Sequence, residues 1–241
     1  MQISESIATV TSSNELFGKN ARDYHRQLVQ GVGLSGETPD YFARSRISAT
    51  ARLAERWSMP INSVLDFGCG VGTAAEFLAK DFPRAIIYGS DIATSALAAA
   101  QSAHTDDRFR WVEDLAGIAS KSIDLVYCNG VFHHIAPEQR TTVLARVCDL
   151  IRPGGGFALW ENNPWNIGTR WVMRRIPFDR DAIVLTQNET FARLSNAQLM
   201  VRCIEHHFFF PRFLAWLRLF EPRLRRVPLG AQYVVFATRP N

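Results

Sequence analysis

Val64-Leu65-Asp66-Phe67-Gly68-Cys69-Gly70-Val71-Gly72 carries an apolar strand straight into three glycines and on into a helical pattern that opens at Thr73. Residues without side chains let the backbone turn tightly and approach a ligand closely. The free amides at the start of the next helix favour a carboxylate or phosphate. The spacing is GxGxG, with Thr73 where the GxGxxG fingerprint of nicotinamide enzymes places its last glycine. That departure counts against a dinucleotide dehydrogenase.

On either side of this loop, short apolar runs alternate with helical patterns. Residues 63–67, 85–90, 109–112, 123–128 and 156–160 read as strands covered on both faces, and 73–80, 93–103 and 137–151 as the helices between them. Past residue 161 the pattern predicts a helix at 189–200, a strand at 202–210, a further helix at 212–226 packed on the sheet, and a last strand at 232–238 pairing antiparallel with the strand before it. The expected fold is α/β: a doubly wound, mostly parallel seven-stranded sheet with an antiparallel C-terminal strand.

Two further acidic positions end predicted strands. Asp91 closes the second, where a carboxylate can accept both hydroxyls of a ribose, and Glu113-Asp114-Leu115 closes the third, where an acid and an apolar neighbour can hold an adenine. The carboxyl ends of parallel strands line one crevice, so Asp66, Asp91 and Asp114 converge there although they are distant in sequence. Any one of these acids alone is better explained as a helix cap or surface residue; the set of three is not.

With these motifs assembled, the chain resembles the class I S-adenosylmethionine-dependent methyltransferases over residues 60–160. LDFGCGVG at 65–72 resembles the family's cofactor loop, DLVYCNGVFHHI at 124–135 its fourth strand, and LIRPGGGFAL at 150–159 its turn into the fifth. The resemblance implies a Rossmann-like methyltransferase fold with S-adenosylmethionine as cofactor. It implies that Asp66, Gly68, Cys69, Gly70 and Gly72 surround the methionine portion, Asp91 and Ile92 the ribose, Glu113, Asp114 and Leu115 the adenine, and that Asn129 meets the methionine end through its backbone. The acceptor is not implied, because function resides in sites grafted onto a fold.

Methyl transfer needs the nucleophile positioned and, for a hydroxyl acceptor, a general base; His133, His134 and Glu161 are the candidates beyond the fourth and fifth strands. Adjacent side chains diverge, so at most one of the two histidines faces the cofactor. The family's acceptor pockets are usually built before the first strand and after the fifth. There this chain offers Tyr24, Phe42, Trp160, Asn162, Trp165 and Arg170, aromatic surface mixed with hydrogen-bonding groups that suits a ring-bearing or sugar-like molecule. Trp171 and residues 208–210 read as core. The expected function is methyl transfer to the O or N of a small-molecule acceptor. A quinone-like or lipid-linked acceptor at a membrane surface is the first alternative, and a non-catalytic cofactor-binding protein the second.

Composition agrees with this reading. The 241 residues, 47% hydrophobic and 21% charged, suffice for one domain, with 1–60 as a helical cover, 61–160 as the cofactor-binding core and 161–241 as the substrate side. Arginines cluster at 170–180 and 218–226, but no RNA-binding module or base-methyltransferase tetrapeptide accompanies them, so nucleic acid is not an expected partner. Cys69, Cys128, Cys148 and Cys203 show no ligand spacing, His206 and His207 read as structural, and no metal is expected. Without a signal-like start or a membrane-spanning run, the expected location is cytoplasmic, with peripheral membrane contact open and a monomer or homodimer as the state.

Overall fold

The computed structural model describes residues 33, 35–176, 179 and 182–241. Its sheet contains β1 (Ser63–Phe67), β2 (Ile86–Ser90), β3 (Phe109–Val112), β4 (Ile123–Asn129), β5 (Ile151–Asn162), β6 (Met200–His207) and β7 (Gln232–Thr238). Their order in space is β3-β2-β1-β4-β5-β7-β6. β1 to β5 pair in parallel, and β7 runs antiparallel to both β5 and β6. The expected mostly parallel sheet is therefore present, and β7 does pair with the strand before it. It does so by inserting between β5 and β6.

Strand alternation sends successive side chains to opposite faces, and both faces are covered. On one, Val126, Cys128, Phe157 and Leu159 cluster with Leu144 of α4 (Arg140–Leu150) and Leu194 of α6 (Gln187–Asn196). On the other, Leu125, Tyr127, Ala158 and Trp160 cluster with Ile47 and Leu53 of α1 (Pro39–Arg56) and Leu78 of α2 (Ala75–Asp81). α1 starts where its sequence directs: Thr38 accepts a hydrogen bond from the Tyr41 amide, and Pro39 takes a first-turn position where its missing N–H costs nothing. The remaining helices are α3 (Thr94–Ala103), α5 (Ile167–Met173) and α7 (Glu221–Leu224).

Three local expectations change. β6 ends at His207, because Phe208 takes a left-handed conformation at φ 64° and turns the chain out of the ladder. Residues 212–226 do not form one helix on the sheet. They form a nine-residue 3-10 helix, Arg212–Phe220, kinked at Leu214, followed by the single turn of α7. The helix at Ile167–Met173 was not anticipated; Asn166 starts it by accepting from the Thr169 amide at 2.8 Å.

Strand order reverses between β1 and β4, and a crevice opens beyond the carboxyl ends of those two strands. Arg140, 1% exposed, braces one wall of it. Its guanidinium donates to the Ile135 carbonyl at 2.9 Å, the Ile183 carbonyl at 2.5 Å and Glu189 at 3.2 Å, while the Ile183 amide donates to the carbonyl of His133. Arg140→Ala removes three hydrogen bonds of a buried guanidinium that ties Ile135, Ile183 and Glu189 together, so we expect a loss of roughly 3 kcal/mol. In thermal unfolding this appears as a Tm lower by roughly 10 °C; an unchanged Tm would show that water replaces the guanidinium.

Candidate functional site

The glycine loop follows β1 with Gly68, Gly70 and Gly72 at φ 76°, 54° and 80°, a region that disfavours side chains. The Gly68 and Cys69 amides donate to the Ser90 carbonyl at 2.8 and 3.0 Å, which ties the loop to the end of β2. The three glycines are needed for different reasons. A Cβ on Gly68 would lie 2.2 Å from Val131 Cγ2 and one on Gly72 would lie 2.9 Å from His104, whereas one on Gly70 meets nothing within 4 Å. Gly68 and Gly72 are therefore packing glycines, and Gly70 faces open space. Asp91 fixes Gly70 there, accepting from its amide at 2.8 Å through one oxygen and from the Ala93 amide at 2.8 Å through the other.

That space is a cleft of about 590 Å³ with Asp66, Gly70, Asn129 and His133 in its lining. Asp66 is 4% exposed; burial, reinforced by Asp91 and opposed by Arg46, pushes its carboxyl up to about 7. Arg46, from α1, also lines the cleft and donates to the Tyr127 hydroxyl at 3.2 Å and to Gln232 at 3.0 Å. Asn129 Oδ1 is buried without a hydrogen-bond partner. An unpaired acceptor in such a place is costly unless a ligand donates to it.

Past Asn129 the cleft lining continues with Gly130 and His133, and His134 stands beside His133 outside the lining. His133 sits in a one-turn 3-10 helix, Phe132–His134, whose first amide donates to Glu161 Oε1 at 3.0 Å. Glu161 Oε2 lies 2.6 Å from His133 Nδ1, and neither side chain is appreciably exposed. Burial alone would lower the His133 value, but Glu161 at hydrogen-bond distance outweighs it and the net direction is upward. His134, also buried, is held below the usual histidine range by burial. Asp179 Oδ1 lies 3.9 Å from His133 Nε2 and 3.5 Å from His134 Nε2. These three groups are close enough, and of the right donor types, to hold a divalent cation. They equally form a charge-compensated set, one carboxylate between two imidazoles.

Comparison with known proteins places this geometry. Residues 65–157 match the family described as "Methyltransferase domain". This region is a methyltransferase domain. The chain is 34% identical over 119 residues to an uncharacterized methyltransferase of Mycobacterium tuberculosis, covering 45% of this chain and 58% of that one. It is 32% identical over 115 residues to a trans-aconitate 2-methyltransferase of Variovorax paradoxus, covering 47% and 43%. The chain thus spans about half the length of these relatives. The magnesium protoporphyrin IX methyltransferase of Synechocystis superposes with a TM-score of 0.65 at 16% identity, covering 95% of this chain and 99% of that one, a likeness of fold.

Asp66, Gly68, Cys69, Gly70, Asn129, His133, Asn162 and Phe42 line one cleft. Ile92, Glu113 and Asp114 are exposed beyond β2 and β3, outside that lining, where Asp114 caps the Ala116 amide; Asp91 and Leu115 are partly exposed there too. Gly72 lies beneath His104 and Ala100. Four candidates need correction. Trp160 is fully buried with its indole N–H on Thr50 at 3.0 Å, a core residue, because its position in β5 points into the α1 face. Trp165, in the turn before α5, and Arg170, on the outer face of α5, are exposed and outside the cleft lining. Glu161 is fully buried behind His133 and does not line the cleft, so it positions the imidazole and meets no acceptor.

Residues assigned to the core join the site. Trp171, 46% exposed and stacked under Arg175, lines the cleft, as do Phe208, Phe209 and Phe210. The turn at Phe208 brings its ring 4.8 Å from that of Phe42. Arg46 and Asp179 lie in no motif, and Tyr127, inside the fourth-strand motif, was not among the expected site residues. Tyr24 lies outside the described residues.

Proposed function

We propose that this chain is an S-adenosylmethionine-dependent methyltransferase that methylates a hydroxyl of a ring-bearing, largely apolar small molecule. The observation that carries the reading is His133 in the lining of the same cleft as the glycine loop, with the buried Glu161 carboxylate behind it, 2.6 Å from Nδ1. The cofactor fits the residues present: Gly70 leaves room where a side chain would stand, and Asn129 Oδ1 and the Asp66 carboxyl are buried acceptors suited to a cationic amino acid end. Arg46 is placed to meet its carboxylate.

S-adenosylmethionine supplies an activated methyl group together with a neutral thioether leaving group. The protein has to orient the acceptor, exclude water and move one proton. Glu161 holds the proton of His133 on Nδ1, which leaves Nε2 of the neutral ring to accept the acceptor's hydroxyl proton. Phe42, Phe208 and Trp171 offer flat apolar surface against which a ring can be held. Incubation with labelled cofactor and paired phenolic and aniline acceptors tests the reading. Faster labelling of the phenols, lost in His133→Ala while anilines are still labelled, supports it; phenols labelled as fast by that variant as by the wild type refute the base.

Asp66 adds a pH dependence. Its carboxyl titrates near 7 in the folded protein, and the charged form favours a cationic ligand. Cofactor affinity is therefore expected to rise with pH up to about 7, by at most about tenfold per unit, and to level off above. Asp66→Asn should remove that slope in calorimetric titrations, and a slope that survives the substitution assigns it to another group.

A further inference from the structure

Phe213, Trp216 and Leu219 stand three apart in the 3-10 helix Arg212–Phe220, which is kinked at Leu214, and this row is 78%, 68% and 80% exposed. Phe220 and Leu229, 50% and 61% exposed, extend the apolar surface. Such a patch on a rigid frame marks an interaction site. The frame is rigid here: Arg218 pairs with Glu37 at 2.8 Å and donates to the Phe210 carbonyl, Glu221 accepts from the Phe209 and Phe210 amides, and the Arg212 amide donates to Ser35. The row is thus anchored by part-buried polar contacts to Glu37, Ser35 and the Phe209–Phe210 backbone.

Cationic groups follow it in the chain. Arg223 in α7 and Arg226 just past it are exposed and line a groove with Arg56, Arg202 and Glu205, in which arginines outnumber the one carboxylate. Apolar side chains projecting beside arginines match the surface of an anionic lipid bilayer, into which the rings insert while guanidinium groups meet phosphates. Among the described residues no helix is long and apolar enough to cross a membrane, so such contact is interfacial.

We propose that Phe213, Trp216 and Leu219, with Arg223 and Arg226 beside them, dock this protein on an anionic bilayer surface. The consequence is positional. Phe210, Pro211 and Phe213 also line the cleft, so its lip would rest against the lipid and admit an acceptor carrying an apolar tail. This goes beyond the methyl-transfer reading and does not depend on it, since docking is measured without cofactor.

The test is co-sedimentation of the full chain with phosphatidylglycerol-containing vesicles against pure phosphatidylcholine. Wild type is expected to bind the anionic vesicles, and Trp216→Ser/Leu219→Ser to bind them at least about tenfold less with an unchanged Tm. Arg223→Glu/Arg226→Glu should abolish the preference for anionic over neutral vesicles. No binding by wild type at low salt, or equal binding by the Trp216/Leu219 double variant, overturns the proposal. So does a dimer in solution that this variant converts to monomer, which would assign the row to a second copy of the chain.

Discussion

Gly70→Val is expected to weaken S-adenosylmethionine binding by at least about 100-fold, close to 3 kcal/mol, in a protein that still folds. The expectation rests on a difference between neighbouring glycines. A side chain at Gly70 collides with no protein atom, so its methyl groups occupy only the cleft. The fold bears one cost, a non-glycine residue at φ 54°, roughly 2 kcal/mol for a β-branched side chain. Tm should therefore fall by no more than about 8 °C. Gly68→Val behaves differently: its Cβ would lie 2.2 Å from Val131, and the variant is expected to misfold or lose most of its stability. Calorimetry and thermal unfolding on the two variants separate these effects. Retained affinity in folded Gly70→Val would place the cofactor elsewhere.

The second large effect concerns the proton. His133→Ala is expected to lower kcat by roughly 10² to 10⁴ with cofactor affinity little changed, the range for removal of a general base. Glu161→Gln is the more informative variant, because Glu161 touches no acceptor and acts through the ring. Glu161 is what drives the His133 value upward, so its neutralisation should move the acidic limb of the kcat–pH profile to lower pH while lowering kcat by about tenfold or more. The sign follows from the base: the neutral ring is the active form, so activity rises as pH passes the His133 value, and that value falls once the carboxylate is gone. A loss of rate with no shift of the limb would reduce Glu161 to a packing role.

The parts of this architecture that follow from local pattern were legible in the sequence. Ser63–Phe67, Phe109–Val112 and Gln232–Thr238 are strands with the expected bounds, since each is a short apolar run that chain topology has little freedom to override. The 3-10 helix at Arg212–Phe220 was misread because leucines and aromatics at helical spacing suit a buried α-helix equally well. Its outward row depends on pins such as Arg218 to Glu37, 181 residues apart in sequence, which no local pattern reveals.

The site divides in the same way. The glycine loop and Asp91 are local signatures, and the loop and the Asp91 carboxylate do meet. His133 was identified with two companions, but only the fold separates their roles: the ring that lines the cleft, the carboxylate behind it, and His134 beside Asp179. Trp160 looked like acceptor surface because it precedes the polar run at 161–163, yet its strand parity sends it into the core. Arg46 was invisible for the opposite reason. It sits in a helix among other arginines, and only the packing of α1 over β4 gives it Tyr127 and the cleft.

The most direct test is a calorimetric titration of the wild-type protein with S-adenosylmethionine at pH 8, above the Asp66 transition. One binding site per chain, competed by S-adenosylhomocysteine, is the expected result. No binding by protein shown to be folded would contradict the cofactor assignment and leave the sheet and its cleft without the role proposed for them.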